Sequence, residues 1–106
     1  MTRDQASTVF AALADPTRRA LVETLARDGE ATATQLSAAF PMSRQAVTKH
    51  LAALSEAGLL RTNRVGREQR YVLEPVGLTA AARWMASVGT LWDERIAALT
   101  DHLRRM

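Results

Sequence analysis

Apolar residues recur at three- and four-residue steps along most of this chain, and two short stretches break that rhythm by alternating. The first helical stretch, Gln5 to Ala14, places Val9, Phe10 and Leu13 at helix spacing. Asp15-Pro16 ends it and opens a second helix, because Asp caps free N–H groups and Pro at the first helical position has no N–H to satisfy. Leu21, Val22 and Leu25 form the inner face of that helix, and Gly29 stops it. Thr32 and Gln35 have the spacing of a capping box for a short third helix, with Leu36, Ala39 and Phe40 expected inward. Pro41-Met42 breaks this helix, and Ser43 caps a fourth over Arg44 to Ala57 with Val47, Leu51 and Leu54 buried and Gly58 as its stop.

The period then changes. Leu60–Val65 and Glu68–Leu73 read as two strands turning at Gly66, with Gln69, Tyr71 and Leu73 on one face and Arg70 and Val72 on the other. A long last helix follows, carrying an apolar stripe of Leu78, Met85, Val88, Trp92, Ile96, Leu99 and Leu103. Gly77 and Gly89 each cost this helix about 1 kcal/mol relative to Ala. Its start therefore lies at Pro75 or Thr79, and Gly89 marks a candidate bend. The expected architecture is mainly α with a two-stranded β-wing, in the order α-α-α-α-β-β-α, as one domain over residues 1–106.

Two short helices joined at Pro41-Met42-Ser43 and followed at once by a hairpin form the plan of a winged helix-turn-helix. In that plan the second helix enters the major groove of DNA with its N-terminal residues at the base edges. The inward set of the fourth helix leaves Arg44, Gln45, Thr48 and Lys49 facing out. These are side-chain types that read bases: Arg or Lys guanine, Gln adenine, Thr a thymine methyl. Ser43 and the free N–H groups beside it suit a phosphate. His50, beside Leu51, reads as a phosphate contact or a helix-packing residue. In the hairpin, Arg64 and Arg67 flank Gly66 at the tip, in reach of phosphates or a minor groove, while Arg61 and Arg70 lie nearer the base as backbone contacts.

Charge sharpens this picture. The chain carries +3 overall, yet the segment from Arg44 to Arg70 holds six basic residues against Glu56 and Glu68. A positive field concentrated on one segment suits a polyanion. The 47% apolar share suffices for one core, thin enough at 106 residues for oligomerisation to add stability. The absence of cysteine removes disulfides, thiolate metal sites and thiol catalysis, and fits the cytoplasm. The opening Met1-Thr2-Arg3-Asp4-Gln5 carries no secretory signal, and no run approaches the roughly 20 apolar residues of a membrane span. No Gly-rich phosphate loop, nucleophile elbow or supported Ser/His/Asp set suggests an enzyme.

The run from Phe10 through Ala14, Asp15-Pro16-Thr17-Arg18-Arg19 and Leu21 resembles the opening of ArsR-type winged-helix repressors. Ser43 to Leu60, with Lys49-His50-Leu51 and Ala57-Gly58-Leu59, resembles their recognition helix, and Gly66-Arg67, Tyr71 and Leu73 their wing. The resemblance covers about residues 6 to 103. It implies a homodimer joined through the first and last helices, binding a pseudo-palindromic DNA operator and blocking transcription. Val9, Phe10, Met85, Val88, Trp92, Ile96, Leu99 and Leu103 are the interface residues it implies. Metal-sensing members carry a cysteine pair on the third helix where this chain has Thr32 and Thr34, and hydroxyls are poor ligands for soft metals. A second family site uses several ligands on the last helix, where only Asp101 and His102 stand, on different faces. The chain is thus expected in a branch without metal or cofactor.

Trp84 and Trp92 leave two readings open: dimer core, which suits Trp92 on the stripe, or a pocket for a small-molecule effector, which suits Trp84 one step off it. His102, near a helix end, reads as a dipole partner or plain surface. A protein-interaction module on the same scaffold is the other alternative, since fold does not fix function.

Overall fold

The computed structural model of the chain describes residues 3–106, with side-chain burial from residue 5 onward; the first residues of the stretch without a secretory signal lie outside the described residues. Helix α1 (Arg3–Ala12) stops two residues before the expected Ala14. Arg19 is the reason: its Nη1 donates to the carbonyl oxygens of Leu13 and Ala14 at 2.8 and 3.0 Å, satisfying acceptors that further helix would otherwise use. Asp15 then caps α2 (Pro16–Asp28) by accepting the Arg18 N–H at 3.0 Å, and Gly29 ends that helix at φ +92°, where a side chain would be strained.

A short strand, β1 (Glu30–Thr32), comes next, and the sequence pattern misses it. It pairs antiparallel with β3 (Glu68–Leu73), placing Glu30, Ala31 and Thr32 opposite Val72, Tyr71 and Arg70. The expected two-stranded wing is therefore part of a three-stranded sheet in the order β1-β3-β2, with β2 (Leu60–Val65) on the outer edge. Val65 faces Glu68 across the Gly66-Arg67 turn, and Gly66 takes the positive φ that such a two-residue connection requires.

The capping box forms as its spacing predicts. Thr32 Oγ1 accepts the Gln35 N–H at 3.1 Å, and the Thr32 N–H donates to Gln35 Oε1 at 2.9 Å, starting α3 (Ala33–Ala39). Ala33 and Leu36 are its buried residues. Ala39, expected inward, is exposed, because the helix ends there and the chain turns away. Ser43 caps α4 (Arg44–Glu56) through the Ala46 N–H at 3.1 Å, and Val47, Leu51 and Leu54 enter the core with Leu21, Leu25 and Leu36.

Helix α5 (Pro75–Arg104) begins at the earlier of its two candidate starts and includes Gly77. A Cβ on Gly77 would stand 3.0 Å from the Gly58 carbonyl oxygen and 3.2 Å from the Leu59 side chain. The glycine thus serves the contact between the start of α5 and the end of α4, at the expense of helix propensity. Ala81 is the last buried residue; every position from Ala82 on is exposed. The helix runs out of the body, giving extents of 69 × 28 × 20 Å and a radius of gyration of 18.6 Å, against about 13 Å for a compact domain of this length.

Two expected interface residues separate here. Phe10 is half-buried and meets the Trp84 ring edge-on at 5.5 Å. Val9 is 1% exposed inside the protomer's own core, so it has no surface to offer a partner. Adjacent positions on a helix differ by about 100°, enough to turn one inward and its neighbour sideways.

Candidate nucleic-acid interface

The capping hydroxyl of Ser43 sets where α4 begins, and the buried stripe of Val47, Leu51 and Leu54 sets its rotation. Arg44, Gln45, Thr48 and Lys49 consequently share the uncovered flank and line one open recess of about 540 Å³. Thr48 donates its hydroxyl back to the Arg44 carbonyl at 2.8 Å, which leaves its oxygen able to accept from outside. Ser43 is exposed beside them, with its oxygen engaged in the cap.

The sheet brings the hairpin to the same side. Arg64 and Arg67 join Arg44 and Thr48 around a cleft of about 470 Å³ whose floor and far wall include Thr32, Thr34, Gln35, Gln69 and Tyr71. Arg64 lies opposite Gln69 in the ladder. Among the described residues, Arg44, Lys49, Arg64 and Arg67 make no ion pair, so their charges are available to an external anion. Three of them, Arg44, Arg64 and Arg67, line the cleft beside one carboxylate, Glu68, which is paired with Arg70, while Lys49 lines the adjoining recess; with hydroxyl and amide groups between them, these cations can hold a phosphate backbone and reach polar base edges.

The other basic positions are placed differently. Arg70 is a strut: Nη1 meets Glu30 Oε1 at 2.9 Å and Nη2 meets Glu68 Oε1 at 3.0 Å, tying β1 to the hairpin. The hydrogen bonds it donates, to Glu68 first and Glu30 second, raise its pKa above the ordinary value. Both its forks are engaged within the protein, so Arg70 is not the free backbone contact its position near the hairpin base suggests. Arg61 is exposed with Nε 3.7 Å from Glu74 Oε2, a loose surface pair that an anion can displace.

His50 also leaves the group. It projects from the opposite flank of α4, about 200° around the helix from Thr48, since it lies two positions further on. There its Nδ1 lies 3.9 Å from Asp15 Oδ2. The Asp15 carboxyl is held below its ordinary range, chiefly by the Arg18 N–H it accepts, with His50 and Arg18 adding favourable charge against the cost of partial burial. The sequence pattern missed Glu30, Gln35 and Gln69 as parts of this region. Gln69 had a signal, its shared strand face with Tyr71; Glu30 had none, because its partner is 40 residues away.

On the last helix, Asp101 pairs with Arg105 at 2.8 Å. No group of three or more His, Cys, Asp or Glu placed to hold a metal ion occurs among the described residues, and Thr32 at the family's cysteine position is engaged as a helix cap. No helix among them is long and apolar enough to cross a membrane.

Comparison with known proteins bears on this arrangement. A family described as a helix-turn-helix domain matches residues 13–63. The arsenical resistance operon repressor of Escherichia coli K12 is 32% identical over 97 residues, covering 92% of this chain and 83% of the repressor. The chain belongs to the ArsR family of winged helix-turn-helix transcriptional regulators. An ArsR-like transcriptional regulator from Rhodococcus sp. RHA1 superposes with a TM-score of 0.79 at 41% identity, over 91% of this chain and 90% of that one. The homodimeric winged helix-turn-helix DNA-binding domain of Mb0332 from Mycobacterium bovis superposes with a TM-score of 0.65 at 31% identity, over 86% and 81%. Two further relatives, the HTH-type transcriptional regulator Rv2034 of Mycobacterium tuberculosis and the arsenic resistance transcriptional regulator ArsR1 of Pseudomonas putida, are spanned over only 64% and 52% of their own lengths. Within the ArsR fold, the cleft between α4 and the hairpin is the space between recognition helix and wing.

Proposed function

We propose that this ArsR-family chain is a single DNA-binding and dimerisation domain. It acts in the cytoplasm as a sequence-specific repressor, binding an inverted-repeat operator in double-stranded DNA as a homodimer. The observation that carries the reading is the convergence of Arg44 and Thr48 from α4 with Arg64 and Arg67 from the hairpin on one open cleft. Arg44, Gln45 and Thr48 govern sequence preference; Lys49, Arg64, Arg67 and, more weakly, Arg61 contact phosphates. No catalytic step and no cofactor enter this function.

Dimerisation is supported by the uncovered stripe of Met85, Val88, Trp92, Ile96, Leu99 and Leu103, each 43–59% exposed, together with Phe10 on α1. A continuous apolar face of this length on an isolated protomer calls for a partner surface, and the Mycobacterium bovis domain is a homodimer. Two recognition helices related by a two-fold axis enter successive major grooves about 34–36 Å apart, which sets the half-site spacing. Selection of bound duplexes from a random pool tests this: an inverted repeat with that spacing is expected, and a pool that returns no palindrome overturns the dimeric-operator reading.

A second reading adds an effector. Ala6, Ser7, Phe10, Trp84 and Met85 line a recess of about 540 Å³ between α1 and α5. Trp92 is not among its lining residues, so only Trp84 of the two tryptophans serves this reading. Quenching of Trp84 fluorescence by a small aromatic compound, coincident with release of operator, is its test.

A further inference from the structure

Tyr71 is the single tyrosine of the chain, and it is only 9% exposed. Its side chain shares one face of the sheet with Gln69 and Leu73, and its ladder partners are Ala31 of β1 and Thr62 of β2. Toward Leu73 and Leu60 that face packs on the core; toward Gln69 and Arg64 it becomes the wall of the cleft. Tyr71 stands at the change-over, since it belongs to the buried cluster and also lines the cleft. A buried tyrosine ordinarily gives its hydroxyl a hydrogen-bond partner. Among the described residues this hydroxyl has none, yet it is not one of the side-chain atoms sealed away without a partner, which are Arg18 Nε and Ser55 Oγ. It therefore reaches open space, and the space Tyr71 lines is the cleft. The polar groups around it are already engaged. Thr32 Oγ1 and Gln35 Oε1 complete the capping box of α3, the Thr48 hydroxyl donates to Arg44, and Glu68 is held by Arg70.

We propose that the Tyr71 hydroxyl donates to a backbone phosphate of bound duplex DNA, at the floor of the cleft between α4 and the hairpin. This rests on the DNA-binding reading above. Arg44, Arg64 and Arg67 supply the positive potential that draws an anion into the cleft, but each is a long side chain that gives up rotamer freedom to hold it. The Tyr71 ring is fixed by packing in the free protein, so its O–H binds at little further cost in entropy. Phosphate contacts of this kind set the register of a protein on the duplex and carry no sequence preference. Tyr71 thus fixes how deeply the backbone seats between recognition helix and wing.

Tyr71→Phe removes one oxygen and keeps the packed ring. The test is equilibrium binding of the full chain, wild type and Tyr71→Phe, to a random duplex and to a duplex selected for tight binding, across a range of salt. Thermal melting of both proteins accompanies it. Affinity is expected to fall about tenfold on both duplexes, as for the loss of a hydrogen bond to a charged group. The salt slope is expected to stay at its wild-type value, because a neutral donor displaces no counterion. The melting temperature is expected to stay unchanged, because the hydroxyl makes no bond inside the protein. In wild type carrying fluorotyrosine, the single fluorine resonance is expected to shift when duplex is added. Unchanged affinity in Tyr71→Phe, a loss confined to one of the two duplexes, a lowered melting temperature or an unmoved resonance overturns the proposal. If wild type binds no duplex even at low salt, the DNA-binding reading has failed and this inference falls with it. If wild type binds and Tyr71→Phe binds equally well, this inference alone has failed.

Discussion

Leu54 and Ile96 are both aliphatic residues on helical stripes of similar spacing, yet Leu54 is wholly buried and Ile96 stands in solvent. The two regions they represent differ in what surrounds the stripe rather than in the stripe itself. In the body, α2 and α4 meet face to face, with α1, α3 and the sheet closing the remaining sides. Beyond Ala81, α5 buries no residue within the chain, its contact there being that of Trp84 with Phe10 of α1. Periodicity announces that a helix has a face to bury; it does not say whether the cover comes from the same molecule or from another. Here the inner stripes make the domain, and the outer one is left uncovered, the surface proposed above for a second copy.

That contrast can be broken at its two ends. Leu54→Ala empties a site with no room to collapse and is expected to cost the fold about 2–5 kcal/mol in chemical denaturation. Ile96→Asp leaves the body intact but places a charge on the outer stripe. It is expected to weaken self-association by about 2 kcal/mol or more, read by sedimentation, with operator affinity falling alongside. A protomer that remains dimeric with Asp at position 96 removes the assignment of the stripe.

The hairpin allows a finer contrast of the same kind. Arg64→Ala is expected to weaken binding to all duplexes alike and to lower the salt slope by about one, because one phosphate contact is lost. Arg70→Ala is expected to leave that slope unchanged and to lower thermal stability instead, since its guanidinium bridges Glu30 and Glu68. Equal slopes for the two variants undo the distinction between free cations and strut.

Smaller effects separate the two ends of α5. Gly77→Ala brings a methyl group against the Gly58 carbonyl and is expected to destabilise by about 1 kcal/mol despite the better helix propensity. Gly89→Ala meets nothing within the protomer and is expected to stabilise the helix by up to about 1 kcal/mol. A loss at Gly89 in the dimer would locate a close approach of the partner helix there. The smallest effect is at acid pH. The native Asp15 carboxyl lies below its ordinary value of 3.8, so its contribution is complete above that value and disappears as the pH falls through the lowered one. Asp15→Asn, which cannot titrate, is expected to flatten the acid limb of the stability curve below about pH 4.

Local chemistry explains which parts were legible. Asp15, Thr32 and Ser43 each act within three residues of themselves, and all three caps form where their spacing places them. The outward flank of α4 was equally legible, because burying Val47, Leu51 and Leu54 leaves Arg44, Gln45 and Thr48 outside. Strand β1 was not, since three residues with one buried alanine carry no period. Arg70 was misplaced, and His50 was left open between a phosphate contact and helix packing, for a related reason. Their partners, Glu30 and Asp15, lie 40 and 35 positions away, so no spacing rule connects them.

By itself the sequence determined the helices, their caps, the hairpin and the identity of the outward-facing side chains of α4, because each depends on interactions within a few residues or on one repeating period. Only the tertiary structure decided that Arg64 and Arg67 share a cleft with Arg44 while Arg70 is withdrawn into an ion-pair bridge. It also decided that Val9 belongs to the core, that Gly77 is required by a backbone contact, and that half of α5 lies bare. Those outcomes depend on distances between segments far apart along the chain, which packing alone sets.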